Sequence, residues 1–101
     1  MRDPHDQIGA LFSRFSEAVA QGDVAAFEAL CVEDAPPETE LFLHNCEKLR
    51  ALNARLRLRR IVQEGEVAEV HFDVVDAASR VIDEGKLVCS DEGNGWRIRG
   101  L

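Results

Sequence analysis

The spacing of apolar residues changes character about halfway along the chain. Ile8, Leu11, Phe12, Phe15, Ala18 and Val19 recur every three or four positions, the period of a helix with one apolar stripe. Asp3-Pro4 ahead of them supplies a carboxylate for the exposed amide N–H groups and a proline suited to the first turn. Gly22 suits the left-handed conformation that ends a helix. Asp23 can cap the next one, whose shorter stripe is Val24, Phe27, Leu30 and Cys31. After the break at Pro36-Pro37, which can open a third helix, Phe42, Cys46, Leu49 and Leu52 lie on one side. A strand over 39–44 competes, because Leu41 and Leu43 alternate with polar neighbours. The helical pattern continues through Leu52, which favours the helix.

From Arg55 onward the period is two. Leu56 and Leu58 alternate with Arg55, Arg57 and Arg59, and Ala68, Val70, Phe72 and Val74 alternate with Glu69, His71 and Asp73. Val81, Leu87 and Cys89 share a parity, as do Trp96 and Ile98. The turns at Glu64-Gly65-Glu66, 76–79 and 91–94 are short enough to join antiparallel neighbours. The pattern predicts one α+β domain over residues 1–101, with two or three N-terminal helices packed on a four-stranded antiparallel sheet. A three-residue loop at Gly65 pairs Leu58 with Phe72 and Arg57 with Asp73. A four-residue loop at 76–79 pairs Glu69 with Lys86 and His71 with Glu84. Both registers keep apolar residues on one face and oppose unlike charges on the other. They also point Asp83 inward, opposite Phe72.

Composition narrows the function classes. Twelve basic residues against nineteen acidic ones leave a net charge of -7 in 101 residues. Nucleic-acid affinity comes largely from neutralising phosphates, and anionic membranes attract basic segments, so neither partner is expected. No run approaches the ~18 apolar residues of a membrane span. The three cysteines, Cys31, Cys46 and Cys89, are odd in number, lack CxxC spacing and sit among apolar neighbours. That fits buried free thiols rather than a disulfide framework. The opening Met1-Arg2-Asp3-Pro4-His5-Asp6 leads into an amphipathic pattern, not a signal peptide's apolar stretch, so a reduced cytoplasmic location is expected.

The order of elements resembles a known superfamily. Gln21-Gly22-Asp23-Val24-Ala25-Ala26-Phe27, the hairpin start Gly65-Glu66-Val67-Ala68-Glu69-Val70 and the final Gly95-Trp96-Arg97-Ile98 are similar to the nuclear transport factor 2-like proteins. That superfamily includes ketosteroid isomerase-like and polyketide cyclase-like enzymes. The resemblance implies a cystatin-like α+β cone, in which a curved sheet wraps a long helix around a pocket, and dimerisation through the sheet. Two departures limit it. Pro36-Pro37 stands where a short strand usually precedes the third helix, and the absence of tyrosine leaves the isomerase's oxyanion donor without a counterpart.

Asp83 is the sharpest chemical candidate. A carboxyl group facing an apolar cavity has a raised pKa and suits proton transfer near neutral pH. The competing reading is a bulge at Gly85 that turns Asp83 to solvent. Phe72, Trp96, Phe42 and Cys31 join Asp83 as candidate ligand-binding residues, although aromatics equally fill small cores. Arg50, Arg55, Arg57, Arg59 and Arg60 form either an anion site or a solvated charge ladder. His5, His44 and His71 show no ligand spacing with the cysteines, so no metal or cofactor is expected; a Cys31–His44 thiol pair is conceivable only in three dimensions. The leading expectation is a protein that binds an apolar or amphipathic small molecule in a cone-shaped pocket. An isomerase, cyclase or hydrolase using Asp83 is the alternative, and a protein-interaction module with a filled cavity is another. Val67, Ile82 and Val88, on the otherwise charged sheet face, motivate a homodimer.

Overall fold

The computed structural model describes residues 3–101. Three helices, α1 (Pro4–Gln21), α2 (Val24–Leu30) and α3 (Thr39–Ala51), precede four strands, β1 (Arg55–Glu64), β2 (Val67–Val75), β3 (Val81–Asp91) and β4 (Trp96–Gly100). The strands form one antiparallel meander in the order β1-β2-β3-β4. No described helix is long and apolar enough to cross a membrane.

The caps work as the residues foretell. Asp3 accepts the His5 N–H at 2.8 Å, and Asp23 accepts the Ala26 N–H at 3.0 Å. Gly22, at φ 62°, donates its N–H to the α1 carbonyls. α3 is a helix and the competing strand does not form, but it opens at Thr39 rather than at the prolines, behind Glu38, which makes no side-chain cap. Phe42, Cys46 and Leu49 are buried, while Leu52 follows the last helical turn and is about half exposed. Among the described residues, no regular strand precedes α3. The chain after α2 instead makes a single parallel bridge, Cys31 to Ile98, and the Val32 N–H reaches the Ile98 carbonyl at 2.9 Å.

A bulge sets the register in each of the first two hairpins, and a third shift passes over Arg99 between β3 and β4. In the first hairpin Leu58 pairs with Phe72 and Arg57 with Asp73, but Arg59 is looped out and Arg60 faces His71. The second hairpin departs from expectation by two residues. His71 faces Lys86, Asp73 faces Glu84, and Glu69 faces Val88. The cause lies in the turn. Asp76 accepts the N–H groups of Ala78 and Arg80 at 2.9 Å each, Ser79 takes φ 64°, and the ladder shifts at Ile82, between the Val74–Asp83 and Val75–Val81 pairs. Beyond that shift, a two-residue displacement preserves which face each side chain occupies, so the alternation alone could not detect it. Lys86 still reaches Glu69 diagonally at 3.4 Å.

All five phenylalanines join in the core. Phe15 lies 6.5, 6.2, 6.4 and 6.4 Å from Phe12, Phe27, Phe42 and Phe72 by ring centroid, and so links α1 to α2, α3 and the sheet. Burying these rings with Ile8, Leu87, Cys89 and Ile98 supplies the main apolar driving force. The outer sheet face carries the charge ladder.

Candidate functional site

The space between α3 and the inner sheet face is only partly filled. An apolar-walled cleft of about 420 Å³ remains, lined by Phe15 and Val19 of α1, Leu49 of α3, Leu56 of β1 and Phe72 and Val74 of β2. Gly85 lies on the far wall, opposite Phe72, whose ring packs across it. Leu52 and Ile82, both more than two-fifths exposed, edge the same cleft. Ile82 therefore does not belong to the charged outer face on which the alternation placed it; the shift of the ladder at this residue breaks the parity.

Asp83 stands at the rim, on the inner side as expected but opposite Val74 rather than Phe72. The bulge of the competing reading, placed there at Gly85, lies at Ile82. The carboxylate accepts its neighbour's N–H, from Glu84, at 2.8 Å, and faces the Lys48 ammonium at 3.5 Å. Both side chains are 55% exposed. The expected upward pKa shift does not occur. The Glu84 N–H first, and Lys48 second, hold the Asp83 carboxyl below the usual range, because both favour the ionised form and desolvation is weak at the rim. A general acid or base tuned near neutrality is therefore not what this environment produces.

The remaining candidates go elsewhere. Phe42 is stacked on Phe27 at 4.3 Å, with 9° between the rings, and belongs to the sealed core. Trp96 borders a separate depression with Gln7, Arg14 and Arg97. Cys31 borders a void of about 10 Å³, room for about one water. Its thiol donates to the Phe27 carbonyl at 3.4 Å and is pushed up to about 11, chiefly by burial. Burial takes the Cys89 thiol to about 12. Such thiols lack the thiolate character of a nucleophile. All three cysteines are free, and among the described residues no group of three or more His, Cys, Asp or Glu is placed to hold a metal ion.

Of the arginine cluster, Arg55, Arg57 and Arg59 form a ladder on β1, while Arg50 belongs to α3. Arg57 and Arg59 approach Asp73 at 3.5 and 3.7 Å, Arg59 also meets Glu84 at 3.4 Å, and Arg55 binds the 76–79 turn through Asp76 and Ser79. Guanidinium groups committed this way are not assembled around an anion. They instead guard β1, an edge strand whose unpaired side would otherwise invite another chain.

Asn45 and Lys48, which no sequence motif marks, line the cleft beside Leu52, which the apolar stripe had assigned to the core side of α3. Their signal was present. They recur at i, i+3 and i+7, beside the core stripe of Phe42, Cys46 and Leu49, and so mark a second face of α3.

No protein-family model matches this sequence, and no curated protein does. Solved structures do match. An NTF2-like protein of Campylobacter jejuni, carrying a provisional transpeptidase name, superimposes with a TM-score of 0.70 at 11% identity, over 97% of this chain and 98% of its own. An NTF2-like protein of unknown function from Silicibacter pomeroyi gives 0.63 at 20% identity, over 92% and 87%. A provisionally named dehydratase of the NTF2-like family from Streptomyces avermitilis gives 0.58 at 14% identity, over 92% and 88%. Identities this low carry the fold and not the chemistry. Three helices against a curved four-stranded meander, matched over nearly the whole chain, give this protein the nuclear transport factor 2-like fold.

Proposed function

We propose that this domain binds a small apolar or amphipathic molecule in the cleft between α3 and β3. The observation that carries the reading is the cleft itself. It has a volume of about 420 Å³ and is walled by Phe15, Leu49, Leu56, Phe72 and Val74, with its charged groups confined to the rim. Small-molecule sites have this character: concave, mostly apolar, roughly 300–1,000 Å³, with a few polar groups to orient the ligand. An interior needed only for packing would close over such a space, since a void forfeits dispersion contacts. The names of fold neighbours, a transpeptidase and a dehydratase among them, differ in chemistry and do not favour one reaction. The low carboxyl pKa of Asp83 gives it the role of a fixed charge that orients a bound molecule.

Occupancy is tested by extracting the purified protein with organic solvent and identifying co-purifying small molecules by mass spectrometry. Leu52→Trp, which places an indole at an exposed rim position, serves as the blocked control. A molecule recovered from wild type and lost from the variant supports the reading. Equal recovery from both, or no uptake of any apolar probe by a correctly folded protein, overturns it.

A further inference from the structure

Which molecule the cleft accepts is written in the charge balance of its rim. Its charged and polar side chains are Asn45, Lys48, Asp83 and Glu84. Glu84 is engaged by Arg59 at 3.4 Å. Lys48 and Asp83 face each other at 3.5 Å, one cation against one anion. The Asp83 carboxylate is further tied to the Glu84 N–H at 2.8 Å, which fixes the charge to the strand. The rim at the apolar wall is thus already neutralised.

We infer that the cleft selects an uncharged apolar molecule bearing a hydroxyl group, and discriminates against carboxylates and amines with the same apolar body. This rests on the cleft being the binding site. A carboxylate drawn to Lys48 would meet the Asp83 charge beside it, and an ammonium drawn to Asp83 would meet Lys48. Each must separate an existing ion pair and leave like charges adjacent at the edge of an apolar wall. A hydroxyl meets neither obstacle. It donates to the Asp83 carboxylate while accepting from the Lys48 ammonium, using both of its hydrogen-bonding roles without changing the net charge. The pair has room for it, because 3.5 Å is long against the ~2.7–2.9 Å of a tight charge-assisted bond. Asn45, on the same face of α3 as Lys48, adds an amide donor and acceptor for a second neutral polar group. The overall charge of -7 adds a weaker, salt-screened bias against anions.

Three probes with one apolar body test the rule: naphthol, naphthoate and naphthylmethylammonium, titrated at pH 7 into isotope-labelled protein, with amide shifts of Leu49, Val74 and Gly85 reporting the cleft. Naphthol is expected to bind about tenfold more tightly than either ion, equivalent to ~1.4 kcal/mol. Lys48→Met should raise affinity for the ammonium, and Asp83→Asn should raise affinity for the carboxylate. Both positions are exposed, so circular dichroism should show each variant folded. If either ion binds wild type as tightly as naphthol with the same cleft shifts, the selectivity is overturned and the binding site stands. If no probe shifts the cleft amides, or Leu52→Trp leaves all three affinities unchanged, the binding site itself fails and takes this inference with it.

Discussion

The ring of Phe72 lies across Gly85 on the neighbouring strand, so close that a β-carbon at position 85 would stand 2.4 Å from Cζ and 2.5 Å from Cε2. Glycine is required there for space. The ring is held from the other side by Phe12 at 5.7 Å and Phe15 at 6.4 Å, so it cannot simply withdraw. A glycine in mid-strand also eases the bending of the sheet around the helices.

Gly85→Ala is therefore expected to destabilise the protein by about 1–3 kcal/mol, the usual cost of overpacking. Urea denaturation measures this. The displaced ring has only the cleft to move into, so the same variant should also lose uptake of apolar probes. Unchanged stability would mean that Phe72 yields freely.

Acid should weaken the fold through Asp76. The backbone N–H of Arg80 first, then that of Ala78 and the Arg80 guanidinium, hold its carboxyl below the ordinary value of 3.8. A group depressed in the folded state contributes fully above its unfolded pKa, and the contribution is lost as pH falls through the folded value. Asp83 and Glu69 act in the same sense. The urea midpoint should decline below about pH 4. Asp76→Asn should lower the midpoint at pH 7 and flatten that decline, so that the two curves converge in acid. Parallel curves would remove Asp76 from the acid response.

The alkaline limb has the opposite sign. Cys31 and Cys89 titrate near 11 and 12 in the folded protein, against 9.0 for a free thiol, because burial disfavours the thiolate. Their contribution is complete below pH 9.0 and is lost as pH rises through the folded values. At pH 8 these two thiols should react with a soluble disulfide reagent far more slowly in native protein than in urea. Rapid labelling of either in the native state would contradict their burial.

Dimerisation through the outer sheet face is expected from a narrower patch than the alternation implied. With Ile82 turned to the cleft, Val62 and Val88 flank Glu69 in one cross-strand row, and Val67 lies near the hairpin end. Light scattering at high concentration should report twice the 11.2 kDa chain mass, and Val67→Lys should return it to the monomer. A wild-type monomer at every concentration ends this expectation.

Much of the architecture was legible in the sequence because it depends on local chemistry. Asp3-Pro4, Gly22-Asp23 and the change of period at Arg55 each act within a few residues, and each element they predict is present. The second hairpin was not legible to the residue. Its loop length follows from how Asp76 folds the turn, and a two-residue slip leaves the faces from Asp83 onward unchanged. Of five candidate ligand residues, Phe72 and Asp83 line one cleft. Phe42 resembles Phe72 in type and apolar setting, yet one is sealed against Phe27 and the other forms a wall. Only the packing distinguishes them.

By itself, then, the sequence determined the helices, the strands, the buried face of each apart from Ile82, and the inward side of Asp83, since periodicity and capping are short-range properties. The tertiary structure alone decided the bulges at Arg59 and Ile82, the meeting of Lys48 with Asp83 across 35 residues of chain, the packing of Phe72 across Gly85, and the cleft beside that ring. Those features arise from how separately formed surfaces fit together, and a space between surfaces is not a property of any one segment.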